Sequence, residues 1–239
     1  MDELDREAIE KAARAIRKLR AYFRLHVEGL ERIPEGPAIL VANHTGWSGL
    51  DYAMLFISVY DGLQRIPRVA VHPSYFRMAP LRPRAQKLGF YEVSVQTSTR
   101  ILDEKGLVSF FPEGEDGNFK PVWKRYQLQP FKPGFARVAL ASLAPVVPVS
   151  IVGGEDASPT IGRVTPLEDI LDIPIPIPLS LLPLPAKWRI HVNEPIDPHA
   201  YLERQTPDDD LAQILAQDVR EILQRDVRRQ LDARGGAFL

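Results

Sequence analysis

The alternation of short strand patterns with helical patterns is the feature that most restricts how this chain can fold. Runs of apolar and β-branched residues end at polar or glycine-containing loops, and segments with apolar residues at helical spacing follow most of them. The strand patterns are RLHVEGLERIP, PAILVAN, RVAVHPSY, GFYEVS, LVSFFPEG, VVPVSIVGG and KWRIHVNEPID. Strands that alternate with helices predict an α/β fold with a mixed, largely parallel sheet flanked by helices.

The length of 239 residues favours a single domain, because one α/β core often reaches this size. We predict an N-terminal amphipathic helix (1–26), an α/β domain (27–200) and a C-terminal helix packed on that domain (201–239). In the first helix acidic residues precede basic ones, which suits the helix dipole. Its polar face is either solvated or in contact with a membrane.

Composition excludes several classes of function. With 30 basic and 31 acidic residues the net charge is -1, so the chain has no overall attraction to nucleic acid, and we expect no such partner. The absence of cysteine excludes disulfides, thiolate metal sites and a cysteine nucleophile. Apart from His44, the histidines are scattered without carboxylate clusters, so we predict no metal. They are His26, His72, His191 and His199.

We expect a cytoplasmic protein that can attach to the inner face of the membrane. The N-terminal segment lacks the apolar block of a secretory signal. No run of eighteen apolar residues free of charge and proline occurs, so a conventional membrane span is not predicted.

The loop VANHTGWSGLDYAML, at positions 41–55, concentrates three chemically active side chains after a buried strand pattern. A serine nucleophile at Ser48 would need glycines two residues before and after it, but Leu50 occupies the second position. A histidine base needs a nearby carboxylate, and His44 with Asp51 supplies that pair. Both hypotheses stay open on this loop alone, because such pairs are common by chance.

A second polar strand exit, FFPEGEDG, places Glu113 directly after another buried strand pattern. The carboxyl ends of parallel strands meet at one edge of a sheet, where ligands collect. Alone, this fragment would be explained as a capped turn. Together with the first loop it predicts one cleft that contains both Glu113 and His44.

Taken together, these segments resemble the glycerolipid acyltransferase family, especially its bacterial lysophospholipid acyltransferase-like branch, over roughly Val27 to Asp197. NHTGWSGLD resembles the family's His and Asp box, FFPEGEDG its Phe-Pro-Glu-Gly box and VVPVSIVG its Val-Pro-Val box. LPLPAKWRIHVNEPID resembles the closing strand of that branch. The resemblance implies an acyltransferase-type fold and O-acyl transfer without a cofactor. The donor would be an acyl-CoA or acyl carrier protein thioester, and the acceptor a lipid alcohol.

The resemblance also implies roles for individual residues. His44 would take the proton of the acceptor hydroxyl, which attacks the thioester directly, while Asp51 orients the imidazole. Glu113 and Gly114 would position the acceptor. The other candidate substrate-binding residues are Asn43, Trp47, Phe111, Pro112, Lys124, Arg125, Val146 and Pro148, the last two as the cleft wall. The alternatives are a lipid esterase or thioesterase that uses Ser48, and a catalytically silent lipid-binding protein of the same fold.

Three departures from the family pattern limit what the resemblance implies. Six residues separate His44 from Asp51 where most members have four, so the loop must fold back to join them. Glu115 and Asp116 follow the Phe-Pro-Glu-Gly box and would repel a phosphate, and only Lys87 and Arg100 stand near the family's arginine in the intervening box. We therefore expect a neutral or weakly charged acceptor.

Two further segments predict contacts with phosphate or lipid. The segment from Gly62 to Tyr91 has no acid and could hold the phosphates of coenzyme A, a carrier protein's arm or lipid headgroups, or be an ordinary solvated surface. Its basic residues are Arg65, Arg68, Arg77, Arg82, Arg84 and Lys87. The apolar, proline-broken segment from Asp169 to Pro185 is predicted not to pair with a sheet. It would either face lipid or cross the core as a buried connection.

Overall fold

A computed structural model describes residues 4–73, 76, 82–164, 175–203 and 207–238 of the chain. Its strands are β1 His26–Glu28, β2 Ala38–Ala42, β3 Pro67–Val71, β4 Phe90–Glu92, β5 Leu107–Phe110, β6 Val146–Val152, β7 Thr160–Arg163, β8 Pro176–Pro178 and β9 Arg189–Val192. Seven of them form one sheet in the order β1-β9-β6-β2-β5-β3-β4, and β7 pairs with β8 separately. The expected mixed, largely parallel sheet is thereby confirmed.

The direction of the strands fixes where a site can form. Strands β2 to β6 run parallel to one another, whereas β9 is antiparallel to β6 and carries β1 with it. Five strands therefore end at the same edge of the sheet. The central strand β2 lies between β6 and β5, and all five of its residues are buried.

Helices cover both faces of the sheet. The described helices are α1 Arg6–Tyr22, α2 Leu50–Leu63, α3 Arg82–Lys87, α4 Val95–Asp103, α5 Glu115–Asn118, α6 Gly134–Ser142, α7 Gly154–Ala157, α8 His199–Leu202 and α9 Asp208–Arg234, with 3-10 turns at Leu30–Arg32 and Val122–Lys124. Alternate residues of β2 point to opposite faces. Ile39 and Val41 join the core beneath α4, α6 and α9, whereas Leu40 and Ala42 join the core beneath α2.

The first helix packs on α2. The Asp5 side chain caps it by accepting the Ala8 N–H at 3.0 Å, so the helix begins at Arg6, within the segment 1–26 predicted for it. Ile9 and Ala13 are buried in one cluster with residues of α2. None of the described helices carries an apolar stretch long enough to cross a bilayer.

The proline-rich segment corrects one expectation. Its part from 169 to 174 lies outside the described residues, but Pro176–Pro178 pairs antiparallel with Thr160–Arg163, although we predicted no sheet pairing. Proline lacks a donor, so the pairing uses other groups: the Leu179 N–H donates to Pro159 O, and the Thr160 hydroxyl donates to Ile177 O. A two-stranded ribbon tolerates this because both strands are edges.

The C-terminal helix is tied to the sheet through a buried cluster around Asp226. The Asp226 carboxylate accepts hydrogen bonds from the Ser150 hydroxyl, from His191 Nδ1 at 2.7 Å and from the Asn193 amide at 3.0 Å. Burial alone would raise the pKa of Asp226, but the hydrogen bonds from Ser150 and His191 outweigh it and hold the pKa below its usual value. His191 is thus held by a structural contact.

Candidate active site

The site begins where β2 ends, and Asn43 fixes that exit. Its side-chain amide donates to Ile151 O at 2.9 Å, and its Oδ1 accepts the Ile151 N–H at 2.8 Å. Asn43 therefore continues the pairing of β2 with β6 through its side chain. Asn43 is only 1% exposed, so these two hydrogen bonds hold its side chain inside the protein.

The loop after Asn43 folds back and joins His44 to Asp51. The distance from His44 Nδ1 to Asp51 Oδ2 is 2.7 Å. The return depends on Gly46 and Gly49, whose φ angles of 100° and 69° favour glycine. Asp51 lies in the first turn of α2, where the helix dipole favours a negative charge.

The remaining contacts of the Asp51 carboxylate hold it in place. Oδ2 also accepts the Thr45 N–H at 3.1 Å, and Oδ1 accepts the Tyr52 N–H at 2.8 Å. A carboxylate accepts and does not donate, so Nδ1 of His44 carries the proton and Nε2 keeps a lone pair. The Phe111 ring stacks on the imidazole at a centroid distance of 4.7 Å. One nitrogen of His44 is thus oriented to accept a proton.

Glu113 supports the His44 loop from inside the protein. Its Oε1 accepts the His44 N–H at 2.9 Å, and its Oε2 accepts the Gln129 N–H at 2.8 Å. The Glu113 side chain is fully buried and contacts the loop of the candidate base from the inner side. Gly114, with a φ of 58°, turns the chain next to the Lys132 side chain. Pro112 is buried and accepts the Lys132 N–H through its carbonyl.

Lys120 completes this support, and sequence reasoning missed it. Its ammonium lies 3.2 Å from Glu113 Oε2 and 2.8 Å from Glu155 Oε1, with all three side chains almost fully buried. Burial would lower the pKa of Lys120, but Glu155 and Glu113 outweigh it and raise the pKa. Burial raises the pKa of Glu155 to about 7, against the opposing effect of Lys120. One buried cation is thus shared by two buried carboxylates.

Glu155 belongs to α7, which packs against the His44 loop. A Cβ built on Gly154 would lie 2.0 Å from Thr45 O, so the backbone of α7 packs directly against the backbone of the His44 loop. The strand-exit rule could have revealed this contact, because GGED follows β6 at the same edge of the sheet as His44. Lys120 had no such signal, since a lone lysine seven residues after Glu113 looks like a surface residue.

The short helix α5 lies over the other side of His44. A Cβ on Gly117 would come within 3.0 Å of His44 Cβ and closer still to Glu113, so no side chain fits there. Glu115 and Asp116 are exposed in the first turn of this helix. The acidic pair therefore belongs to the helix whose Gly117 lies against the Cβ of His44.

Ser48 is not placed as a hydrolase nucleophile. Its hydroxyl contacts the Ser158 hydroxyl at 3.0 Å. A serine hydrolase needs a histidine base for its nucleophile, but His191 is buried against Asp226 of α9. The loop that spaces His44 from Asp51 is instead anchored by Ser48 to the segment after α7.

A model of the family described as Acyltransferase matches residues 24–152, more than half of the chain. The chain belongs to the glycerolipid acyltransferase family. The resemblance drawn from the sequence boxes is thereby confirmed. An uncharacterized protein of Mycobacterium tuberculosis is 34% identical over 232 residues. The alignment covers 92% of this chain but only 65% of that relative.

Two further likenesses are to a chicken protein and to a solved crystal structure. A chicken protein named DGAT1/2-independent enzyme synthesizing storage lipids is 25% identical over 78% of this chain and 57% of its own length. The crystal structure of the 1-acyl-sn-glycerophosphate acyltransferase PlsC of Thermotoga maritima superposes with a TM-score of 0.65 at 20% identity. The superposition covers 97% of this chain and 85% of the PlsC chain. That likeness confirms the fold.

Two further candidate residues, Val146 and Pro148, are buried in β6. Val146 is fully buried opposite Ile39 near the start of β2, at the far end of the strand from His44. Pro148 is also buried, opposite Val41. Lys124 is exposed in a 3-10 turn.

Arg125 and Trp47 lie closer to the site. Arg125 Nε is 3.9 Å from the buried Asp156 carboxylate, so this cation has an acidic neighbour. Trp47 lies in the His44 loop, and its buried indole Nε1 has no hydrogen-bond acceptor among the described residues. Of the two, Trp47 has a buried donor without an acceptor among the described residues, in the loop between His44 and Asp51.

Proposed function

We propose that this protein transfers a fatty acyl group from an acyl thioester to the hydroxyl of a glycerolipid or related lipid alcohol. The contact of His44 Nδ1 with Asp51, which leaves Nε2 as the proton acceptor, carries the proposal. Nε2 takes the hydroxyl proton while the oxygen bonds to the thioester carbonyl carbon. The C–S bond then breaks, and the imidazolium returns the proton to the leaving thiolate.

Asp51 stabilises the imidazolium that forms during this step. Its carboxylate is buried, so the attraction to the charged ring is stronger than it would be in water. The tetrahedral intermediate also needs hydrogen-bond donors for its oxyanion. Backbone amides of these loops and the indole N–H of Trp47 are the donors we propose.

The acidic residues on α5 favour an acceptor without phosphate. Glu115 and Asp116 belong to the helix whose Gly117 lies against His44, so a dianionic headgroup there would meet like charges. The name of the chicken relative, which refers to storage lipids, agrees with an uncharged acceptor.

We expect a monoacylglycerol or long-chain alcohol to be acylated faster than lysophosphatidic acid. Transfer from radiolabelled acyl-CoA to each acceptor at matched concentrations measures this preference. Glycerol 3-phosphate is the competitor, and it should leave transfer to the neutral acceptor unchanged. Tight, saturable inhibition by glycerol 3-phosphate would contradict a neutral acceptor but would leave acyl transfer itself intact.

An exposed apolar surface follows the β7–β8 ribbon and suits contact with a lipid bilayer. Leu181 and Leu182 are 81% and 78% exposed, and Leu179 is 57% exposed. The Tyr22 hydroxyl at the end of α1 donates to Pro183 O, which joins the N-terminal helix to this surface. Two hydrogen bonds join this surface to the segment around Ser158, the partner of Ser48: the Leu184 N–H donates to Ala157 O, and the Thr160 hydroxyl donates to Ile177 O. We propose that the surface admits lipid substrates from the membrane.

Replacing Leu181 and Leu182 with aspartate should weaken sedimentation with phospholipid vesicles by at least ten-fold, because each leucine loses about 1.5–3 kcal/mol of apolar burial. Thermal stability should not change, since both side chains are exposed in the protein. The matched control replaces Leu143 and Leu202, 37% and 45% exposed on other helices, with aspartate. Equal vesicle binding by the parent and the first variant would rule out this surface.

A further inference from the structure

The last turn of the C-terminal helix α9 reaches α7, the short helix that packs against the His44 loop. Arg234 Nη2 lies 2.7 Å from Asp156 Oδ2, and the two side chains are only 6% and 5% exposed. The other terminal nitrogen of Arg234, Nη1, donates to Lys187 O at 3.3 Å. The helix dipole favours a cation in this last turn. A buried ion pair therefore fixes the end of α9 to α7.

Tyr126 holds α7 from a second direction. Its hydroxyl donates to Asp156 Oδ2 at 2.6 Å and accepts the Gly153 N–H at 3.1 Å, while its backbone N–H donates to the Glu155 carboxylate. The φ angle of Tyr126 is 62°, in the left-handed region that residues with a side chain rarely adopt. Such a conformation persists only where the surrounding contacts determine it. The position of α7 is thus set by several contacts at once.

The helix α7 in turn supports the loop that carries His44. A Cβ on Gly46 would lie 3.0 Å from Gly154 O, and one on Gly154 would overlap Thr45. The Thr45 N–H donates to the Asp51 carboxylate at 3.1 Å. Because backbone packs on backbone here, a shift of α7 would move Thr45. It would thereby disturb the carboxylate that orients the imidazole.

The balance of buried charge makes α7 depend on Arg234. This short helix carries two buried carboxylates, Glu155 and Asp156. Lys120 lies 2.8 Å from Glu155 Oε1, so Asp156 needs a cation of its own. Arg125 Nε is 3.9 Å from Asp156, but its side chain is 55% exposed. Without Arg234, the Asp156 carboxylate would be drawn outward to Arg125, and α7 would move with it.

We propose that Arg234 and Tyr126 are positioning residues for the candidate base. They act through Asp156 and α7, which fix the His44 loop and hence the contact of His44 with Asp51. This inference rests on the proposed function, because that function makes His44 the base. The C-terminal helix, which lies beyond all the sequence boxes, thereby supports the active site.

The first test replaces Arg234 with glutamine, which removes the charge and keeps a polar side chain. We expect kcat for acyl transfer to fall about 10–100-fold, because a small misplacement of a reacting group has effects of this order. The KM for the acyl thioester should change by less than about two-fold, since the substrate contacts remain. Rates are measured at a temperature where circular dichroism shows each variant to be folded.

The matched control is Tyr201→Phe, which removes another hydrogen bond of the same helix. The Tyr201 hydroxyl donates to Asp218, about 24 Å along α9 from Arg234. This variant should keep the kcat of the parent. An equal loss of kcat in Tyr201→Phe and Arg234→Gln would overturn the proposal, because the effect would then be general loosening of α9.

A double variant tests whether charge is the cause. Arg234→Gln/Asp156→Asn removes both members of the ion pair and leaves no buried carboxylate without its cation. Its kcat should return to within a few-fold of the parent, and a double variant as slow as Arg234→Gln would overturn the proposal. Should Arg234→Gln fail to fold, Tyr126→Phe deletes only the hydroxyl that contacts Asp156. Its kcat should fall several-fold, and parent-like kcat would overturn the proposal.

A signal from His44 tests the proposal without turnover. The proton on His44 Nδ1, which donates to Asp51, gives a downfield NMR resonance in protein with ¹⁵N-labelled histidine. Its absence from His44→Ala identifies it. The resonance should shift or broaden in Arg234→Gln and stay unchanged in Tyr201→Phe. A parent-like resonance in Arg234→Gln overturns the proposal. A parent that transfers no acyl group would refute the proposed function, and this resonance would still test Arg234.

Discussion

Replacing His44 with alanine is expected to lower kcat for acyl transfer by about 10²–10⁴-fold, the usual contribution of a positioned general base. The structure predicts this loss because Nε2 is the imidazole nitrogen left to accept a proton while Nδ1 contacts Asp51. The KM for the acyl thioester should change little, since the imidazole acts on the acceptor hydroxyl. Steady-state transfer of a labelled acyl group measures both constants.

The matched control is Ser48→Ala, a substitution in the same loop. It removes a hydroxyl whose partner is the Ser158 hydroxyl, so transfer should fall by no more than a few-fold. A full loss with Ser48→Ala and retained activity with His44→Ala would instead support the hydrolase. Lipid binding by an inactive parent would support the silent lipid-binding protein.

Replacing Lys120 with methionine should destabilise the protein by roughly 3–5 kcal/mol, because it leaves two buried carboxylates without their shared cation. Activity should fall as well, since Glu113 holds the His44 N–H and would be displaced by repulsion from Glu155. Urea unfolding monitored by circular dichroism gives the free energy of unfolding, and initial rates give the activity.

The pH dependence of the Lys120→Met variant separates charge from packing. Buried carboxylates with raised pKa values hold protons more tightly in the folded state, so stability is lost as pH rises through the folded pKa. With Glu155 already at about 7 in the parent, the variant should lose more stability at pH 8 than at pH 6. The double variant Lys120→Met/Glu155→Gln removes one carboxylate and should recover part of the stability. No recovery and no pH dependence would show that Lys120 acts through packing alone.

The sheet and the contact between His44 and Asp51 could be predicted from the sequence because both depend on local patterns. Apolar runs such as AILVA and VVPVSIV are long enough to be recognised as buried strands, and the strand-exit rule placed His44 and Glu113 at one edge. A contact between His44 and Asp51 requires the loop to fold back. Gly46 and Gly49 allow this turn, because both adopt positive φ angles.

The contacts that support the site were beyond sequence reasoning because they depend on three-dimensional packing. Asn43 and Glu113 were expected at the substrate, yet both are turned inward, where backbone groups satisfy them. Val146 shares a motif with residues near the edge but begins its strand at the opposite end. Lys120 lies close to Glu155 only because α7 returns to the His44 loop.

Intact-protein mass spectrometry after mixing with an acyl-CoA in the absence of acceptor tests the central claim, direct transfer by general-base catalysis, most directly. The account predicts that the protein mass stays that of the free chain, while addition of a lipid alcohol releases free coenzyme A and acylated lipid. An acyl adduct that maps to Ser48 and is discharged by the acceptor would contradict it.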